Sequence, residues 1–202
     1  MLSYNESLKI LKETDALLEG HFILSSGLHS NQYIQCAKLL SYPKKAEIIC
    51  GSLSEKIKNK FSNIDIILSP AIGGVVVGYE IGRQLGIETI FAERANGNLI
   101  LRRGFTIPKN SNVLIVEDVI TTGKSALECF DLVNKSNSNL IGYSCIIDRT
   151  NNESLIKDEI VSQIKIVIKT FKNDALPNDL QKIKPVKPGS RNLSKWKLED
   201  SV

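Results

Sequence analysis

The sequence predicts an α/β fold with a central, mostly parallel sheet flanked by helices. Two observations point there. Short apolar runs of β-forming residues alternate with segments of helical period, as in a layered α/β sheet. Runs such as Val113–Val116 are apolar without alternation, which suits strands buried on both faces.

Taken in order, residues 4–18 have helical spacing, with Ile10, Leu11, Leu17 and Leu18 on one face. Tyr33-Ile34-Gln35 forms a short strand. Pro43 suits a first helical turn, and Ala46, Ile49, Cys50, Leu53 and Ile57 share the face that follows. Ile64–Leu68 is a strand that runs into Ser69-Pro70-Ala71-Ile72-Gly73-Gly74. A helix then aligns Val77, Ile81 and Leu85, with Gly86 as its cap. Ile87–Ala92 is the next strand, followed by a polar stretch over 93–104. Val113–Val116, Leu140–Ile147 and Ile164–Ile168 supply further strands. From Lys172 the chain turns polar and carries Pro177, Pro185 and Pro188, as a tail or small subdomain would.

The run from Val113 to Ser125 carries the most chemistry. Glu117 and Asp118 stand where the strand is expected to end, and Val119 and Ile120 lead into Thr121-Thr122-Gly123-Lys124-Ser125. Ala126, Cys129, Phe130 and Val133 continue with helical spacing, so this loop opens a helix. Free backbone N–H groups and the helix dipole there suit a phosphate monoester. Two adjacent acids are poor phosphate ligands but good acceptors for ribose hydroxyls, and they can approach a metal. The combination asks for a sugar carrying a phosphate. A plain surface turn would not need acids, Thr-Thr-Gly and Ser together. A nucleotide P-loop needs glycine five residues before the Gly-Lys pair, and position 118 is Asp.

Other segments fit around this one. The Ser69–Gly74 turn is small and glycine-bearing, which lets backbone N–H groups approach an anion; alone it is also an ordinary tight turn. Arg94, Arg102 and Arg103 surround Asn96-Gly97, and arginine forks suit pyrophosphate oxygens. The same stretch also reads as a solvated hairpin, because Asn-Gly is a strong hairpin turn. Ser25-Ser26-Gly27, with Tyr33 following, can hold a flat polar heterocycle, though composition alone favours a plain glycine-serine loop beside a buried His21. Arg149, after Asp148 at a strand end, can pair with a substrate carboxylate, and on its own is as easily a surface charge.

Composition bounds the reading. The 202 residues fit one domain with a real core. A net charge of +4 is too mild for a nucleic-acid binder yet suits a polyphosphate substrate. Neither a bilayer-spanning run nor a signal peptide is evident, so a membrane partner is not expected. Cys36, Cys50, Cys129 and Cys145 are widely spaced, as reduced core thiols of a cytoplasmic protein are. With only His21 and His29, a His/Cys metal cage is not expected.

The strand with its two acids and the 121–125 loop resembles the phosphoribosyl pyrophosphate (PRPP) motif of type I phosphoribosyltransferases. With Ser25-Ser26-Gly27, Ser30, Tyr33, the Pro70–Gly74 turn and Asp148-Arg149, the chain resembles the orotate phosphoribosyltransferase family from Gly20 to Arg149. That resemblance implies one type I phosphoribosyltransferase domain over 1–202, with a small hood from about 1–40 and 170–202. It implies transfer of phosphoribosyl from PRPP to orotate in pyrimidine (UMP) biosynthesis, with Mg²⁺ carried by PRPP, in a cytoplasmic homodimer. It puts Glu117, Asp118, Val119, Ile120, Thr121, Thr122, Gly123, Lys124 and Ser125, with Ala71, Ile72, Gly73 and Gly74, around PRPP. Arg94, Arg102 and Arg103 join the two acids in catalysis, on a mobile loop that reaches the neighbouring subunit. Thr121, Arg149, Ser25, Ser26, Gly27 and Tyr33 surround orotate. The alternatives are a purine phosphoribosyltransferase and a PRPP-sensing regulator.

The chain departs from the best-known bacterial form, which has lysines where Ser25 and Gly73 stand and an Arg-Lys pair where Glu93-Arg94 stands. The Glu93-Arg94 and Leu101–Phe105 pattern, with a Lys187–Arg191 tail, resembles a second bacterial subgroup. Other members of that subgroup have a Cys-x-x-Cys before the tail, which this chain lacks.

Overall fold

A computed structural model describes residues 1–24, 26–150 and 154–188. The chain runs α1 (Tyr4–Glu13), β1 (Leu17–Ile23), β2 (His29–Ile34), α2 (Cys36–Leu40), α3 (Pro43–Lys60) and β3 (Ile66–Pro70). It continues through α4 (Gly73–Leu85), β4 (Glu88–Ala95), β5 (Asn98–Leu101), β6 (Asn112–Ile120), α5 (Lys124–Lys135) and β7 (Asn139–Asp148). β8 (Ile160–Lys165), β9 (Thr170–Phe171) and α6 (Asn178–Gln181) follow.

Six strands form the main sheet in the order β5-β4-β3-β6-β7-β8. All neighbours are parallel except β4 and β5. Both faces are covered, which explains the unbroken apolar runs. On β6, Leu114 and Val116 join the core beneath α3 and α4, while Val113 and Ile115 join the core beneath α5. Leu53, Ile57 and Ile81 fill the first core; Ala126, Cys129 and Val133 fill the second. The expected apolar faces of α3, α4 and α5 are therefore the buried ones. Gly86 closes α4 in the left-handed conformation at φ 71°.

A second, small sheet joins the two ends of the chain in the order β1-β2-β9. Val186 bridges to Phe22 beside β1 and exchanges hydrogen bonds with His21 O and Ile23 N, each 2.8 Å.

Element boundaries differ from the sequence expectation in three instructive places. The first helix stops at Glu13, where Thr14 Oγ1 donates to Ile10 O and Asp15 turns to φ 53°. Leu17 and Leu18 belong to β1; Leu17 packs in the same core as Ile10 and Leu11, so one apolar stripe spans two elements. β6 runs past Val116 to Ile120 because β7 keeps pairing with it, Glu117 with Cys145 and Ile120 with Asp148. The two acids thus lie within the strand. The last sheet strand occupies Ile160–Lys165, ahead of the expected 164–168, because its ladder to β7 ends at Asp148–Lys165.

Candidate active site

The sheet order sets the location. From β3 the chain crosses to β4 on one side, whereas from β6 it crosses to β7 and β8 on the other. Connections on the two sides of β3 and β6 therefore diverge, leaving a crevice at the carboxyl ends of these strands, where α/β sheets place ligands. The two turns singled out by sequence, Pro70–Gly74 and Thr121–Ser125, border it from either side.

Ala71 N–H is tied to Ala92 O at 2.8 Å, and α4 begins at Gly73 without a side-chain cap. Its first N–H groups are free for an anion. Space explains the glycines. A Cβ on Gly73 would lie 2.6 Å from an Asp118 carboxylate oxygen, and one on Gly74 would lie 3.2 Å from Val116 O. A lysine at position 73, as in the better-known bacterial pattern, requires the Asp118 carboxylate to shift. The pyrophosphate-type turn and the acidic pair are thus in contact.

Glu117 is buried and Asp118 half-buried at the end of β6. Burial, and next to it the charge of Asp118, pushes the Glu117 carboxyl up to about 8. Burial also raises Asp118, opposed by hydrogen bonds from the Val119 N–H and its own N–H. After the strand, Thr121 and Thr122 are exposed and Gly123 takes φ 81° at the start of α5, again without a side-chain cap. Lys124 is exposed and Ser125 half-buried. Ile120 differs from its neighbours: its side chain is in the core, and its carbonyl accepts the Arg149 N–H at 2.8 Å. Val119 packs against the opposite core.

That backbone bond carries Arg149 to the same end of the sheet. Its side chain is half-buried, and its buried Nε has no hydrogen-bond partner among the described residues. Burial lowers the Arg149 pKa while Tyr33 opposes the shift; conversely burial raises Tyr33 and the Arg149 charge opposes it. The small sheet thus brings Tyr33 close enough for its hydroxyl to feel the Arg149 charge. The turn is fixed by Asp148, whose Oδ1 accepts the Thr150 N–H at 2.7 Å and whose Oδ2 pairs with Lys165 at 3.3 Å. Ser26 and Gly27 are exposed in the turn joining β1 and β2; Ser25 lies outside the described residues.

The arginine segment is a hairpin. β4 and β5 pair through Ala95–Asn98, with Asn96 at φ 49° and Gly97 at φ 86°, both positive as a type I′ turn requires. Each arginine here has a carboxylate partner. Arg102 Nη1 lies 3.1 Å from Glu93 and Arg103 Nε 2.5 Å from it. The Arg103 guanidinium also lies 5.9 Å from the Phe91 ring centroid. Arg94 pairs with Glu128 of α5 at 2.9 Å. Sequence spacing showed the arginines but not these partners: Glu128 lies far along the chain from Arg94, and no local pattern links them.

Comparison with known proteins bears on this geometry. Residues 39–178 match the family model of the phosphoribosyl transferase domain. An orotate phosphoribosyltransferase of Methylorubrum populi is 46% identical over 191 residues, covering 94% of this chain and 97% of its own. One from Chlorobium phaeobacteroides is 44% identical over 185 residues, covering 92% and 95%. The chain belongs to the orotate phosphoribosyltransferase family. Like the crystal structure of orotate phosphoribosyltransferase from Aeropyrum pernix, it has the type I phosphoribosyltransferase fold; the TM-score is 0.66, with 22% identity over 78% of this chain and 92% of that one. The candidate residues divide by exposure: Glu117 is buried and Asp118 and Arg149 are half-buried, whereas Arg94, Arg102 and Arg103 are exposed on the 94–103 hairpin. No helix among the described residues is long and apolar enough to cross a membrane.

Proposed function

We propose that the protein transfers the phosphoribosyl group of PRPP to orotate, giving orotidine 5′-monophosphate and pyrophosphate, a step of pyrimidine biosynthesis. One observation carries the choice of base. Arg149 keeps a buried Nε with no hydrogen-bond partner among the described residues, near Tyr33, which suits a small planar anion. Orotate carries a carboxylate; adenine, hypoxanthine and xanthine do not. The names of the relatives support the same choice.

The residues then divide the work. The N–H groups opening α5, with Thr121, Thr122, Gly123, Lys124 and Ser125, hold the 5′-phosphate. Val119 and Ile120 contribute through the backbone, since their side chains face the cores. The turn Ala71, Ile72, Gly73 and Gly74 receives pyrophosphate at the start of α4. Glu117, protonated up to about pH 8, donates to a ribose hydroxyl. Asp118, nearer the surface, accepts from one and faces the positive charge that develops on the ring as pyrophosphate leaves. Arg149, Tyr33 and Thr121, with the Ser25–Gly27 turn, orient orotate. Arg94, Arg102 and Arg103 neutralise the leaving group once they exchange their carboxylate partners for it.

Among the described residues no group of three or more His, Cys, Asp or Glu could hold a metal ion. The two acids offer oxygen donors that fit Mg²⁺ only if a substrate supplies the rest, as PRPP does. Mg²⁺ bound to PRPP supplies charge neutralisation on the pyrophosphate. The working unit is a cytoplasmic homodimer; Ile72, Val76 and Tyr79, exposed at helical spacing along α4, offer the apolar face a second copy covers.

The test is pyrophosphate release from Mg-PRPP with orotate, adenine, hypoxanthine or xanthine as acceptor. Turnover with orotate alone is expected. Turnover with a purine base moves the assignment to that branch, and PRPP binding without turnover makes the protein a sensor.

A further inference from the structure

The pairing of β1 with β2 slips at one point. Glu19 pairs with Gln32 and the next pair is Phe22 with Ser30, so β1 holds an extra residue at Gly20-His21. Such a bulge re-aims a side chain. Here His21 turns into the small sheet, where it is 4% exposed, against His29 at 6%. His21 Nε2 lies 2.6 Å from His29 Nδ1, and His21 Nδ1 lies 2.8 Å from the carbonyl oxygen of Ile183. A carbonyl only accepts, so His21 carries its hydrogen on Nδ1. With His21 neutral its Nε2 accepts, and His29 donates from Nδ1.

These bonds connect three parts of the molecule. His29 is the first residue of β2 after the turn bearing Ser26 and Gly27. His21 stands on the strand before that turn. Ile183 belongs to the C-terminal segment, which continues to Val186, and Val186 bonds the backbone of His21 and Ile23. Two apolar side chains would hold the sheets together at lower desolvation cost. A directional pair instead fixes how the segments are rotated against one another.

We propose that His21 and His29 are positioning residues for the acceptor base. Their hydrogen-bonded chain locks the Ser26-Gly27 turn to the 183–186 segment and so sets affinity for the anionic pyrimidine, without touching the reacting atoms. This builds on the orotate reading above.

The experiment compares His29→Leu and His29→Ala, which delete the donor, with His29→Asn, whose side-chain N–H replaces the one on Nδ1. The deletions should raise the orotate KM about tenfold, the worth of one lost buried hydrogen bond, with kcat and the PRPP KM within about threefold of wild type. His29→Asn should restore the orotate KM. Amide exchange at Val186 should accelerate in the deletions and recover in the Asn variant. In the wild-type protein, a scalar coupling across His21 Nε2 and His29 Nδ1 should be visible by nitrogen NMR, whatever the variants' folding. An unchanged orotate KM, equal losses for both substrates, failure of Asn to rescue, or no coupling overturns the proposal. If wild type turns over no orotate, the functional reading falls, while exchange at Val186 still reports the lock.

Discussion

Arg149 and the arginines of the 94–103 hairpin are the same residue type in opposite circumstances. Arg149 is half-buried, with a buried Nε that lacks a hydrogen-bond partner among the described residues. Arg94, Arg102 and Arg103 are exposed, and each has a carboxylate partner. A buried donor without a partner costs free energy, so its retention points to a ligand that completes it. An exposed ion pair contributes little and exchanges readily. On the function proposed above, the interior is organised in advance, whereas the hairpin would have to trade Glu93 and Glu128 for substrate oxygens. Arginine serves both places because its charge survives burial and its fork can change partners.

The sharpest way to break this comparison is at the interior acid that touches the pyrophosphate-type turn. Asp118→Asn keeps the shape against Gly73 and removes the charge. It should lower kcat about a hundredfold or more, with an unchanged melting temperature. Near-normal turnover in the folded variant would remove Asp118 from the chemistry.

Arg149→Ala comes next. A charge-assisted hydrogen bond is worth about 1.5–3 kcal/mol, which corresponds to a rise in orotate KM of roughly 10- to 150-fold. The PRPP KM should stay near wild type. A rise in the PRPP KM instead would place Arg149 on the sugar-phosphate side and dissolve the contrast.

Arg102→Ala tests the rim. Because the arginine must leave Glu93 before it helps, its removal should act as pyrophosphate separates. The expectation is about a tenfold fall in kcat with little change in PRPP affinity, read from steady-state kinetics and equilibrium binding. An effect as large as that of Asp118→Asn would mean that the hairpin is as pre-organised as the interior.

The smallest effect concerns stability. Burial holds the Glu117 pKa at about 8, above its ordinary 4.5, so between these values the folded state binds a proton that the unfolded chain releases. Its stabilising contribution is complete below about pH 4.5 and is lost as pH rises to about 8. Glu117→Gln removes this dependence. Its melting temperature should fall less between roughly pH 5 and 8 than that of wild type, by on the order of ten degrees. Parallel melting curves would show that the interior acid is solvated in the folded state.

Much of the candidate site's local structure was legible because its signals are local. A buried strand, two acids and a hydroxyl-rich turn opening a helix are consecutive in the chain, and their backbone needs follow from φ, ψ and free N–H groups. The hairpin was equally legible at Asn96-Gly97. The length of β6 was not, because it depends on β7 pairing as far as Asp148. The end of α1 was missed because Leu17 reaches the same core from a strand that Ile10 and Leu11 reach from a helix.

The sequence by itself determined the alternating elements, the two ligand-facing turns and the residue types available to them, since these depend on neighbours along the chain. Only the tertiary structure decided which of those residues act together. It put Asp118 against Gly73, Tyr33 near Arg149, Arg94 onto Glu128 and His21 between His29 and Ile183. Partners so far apart in sequence meet only once strand order and register are fixed, and strand order is a property of the whole sheet.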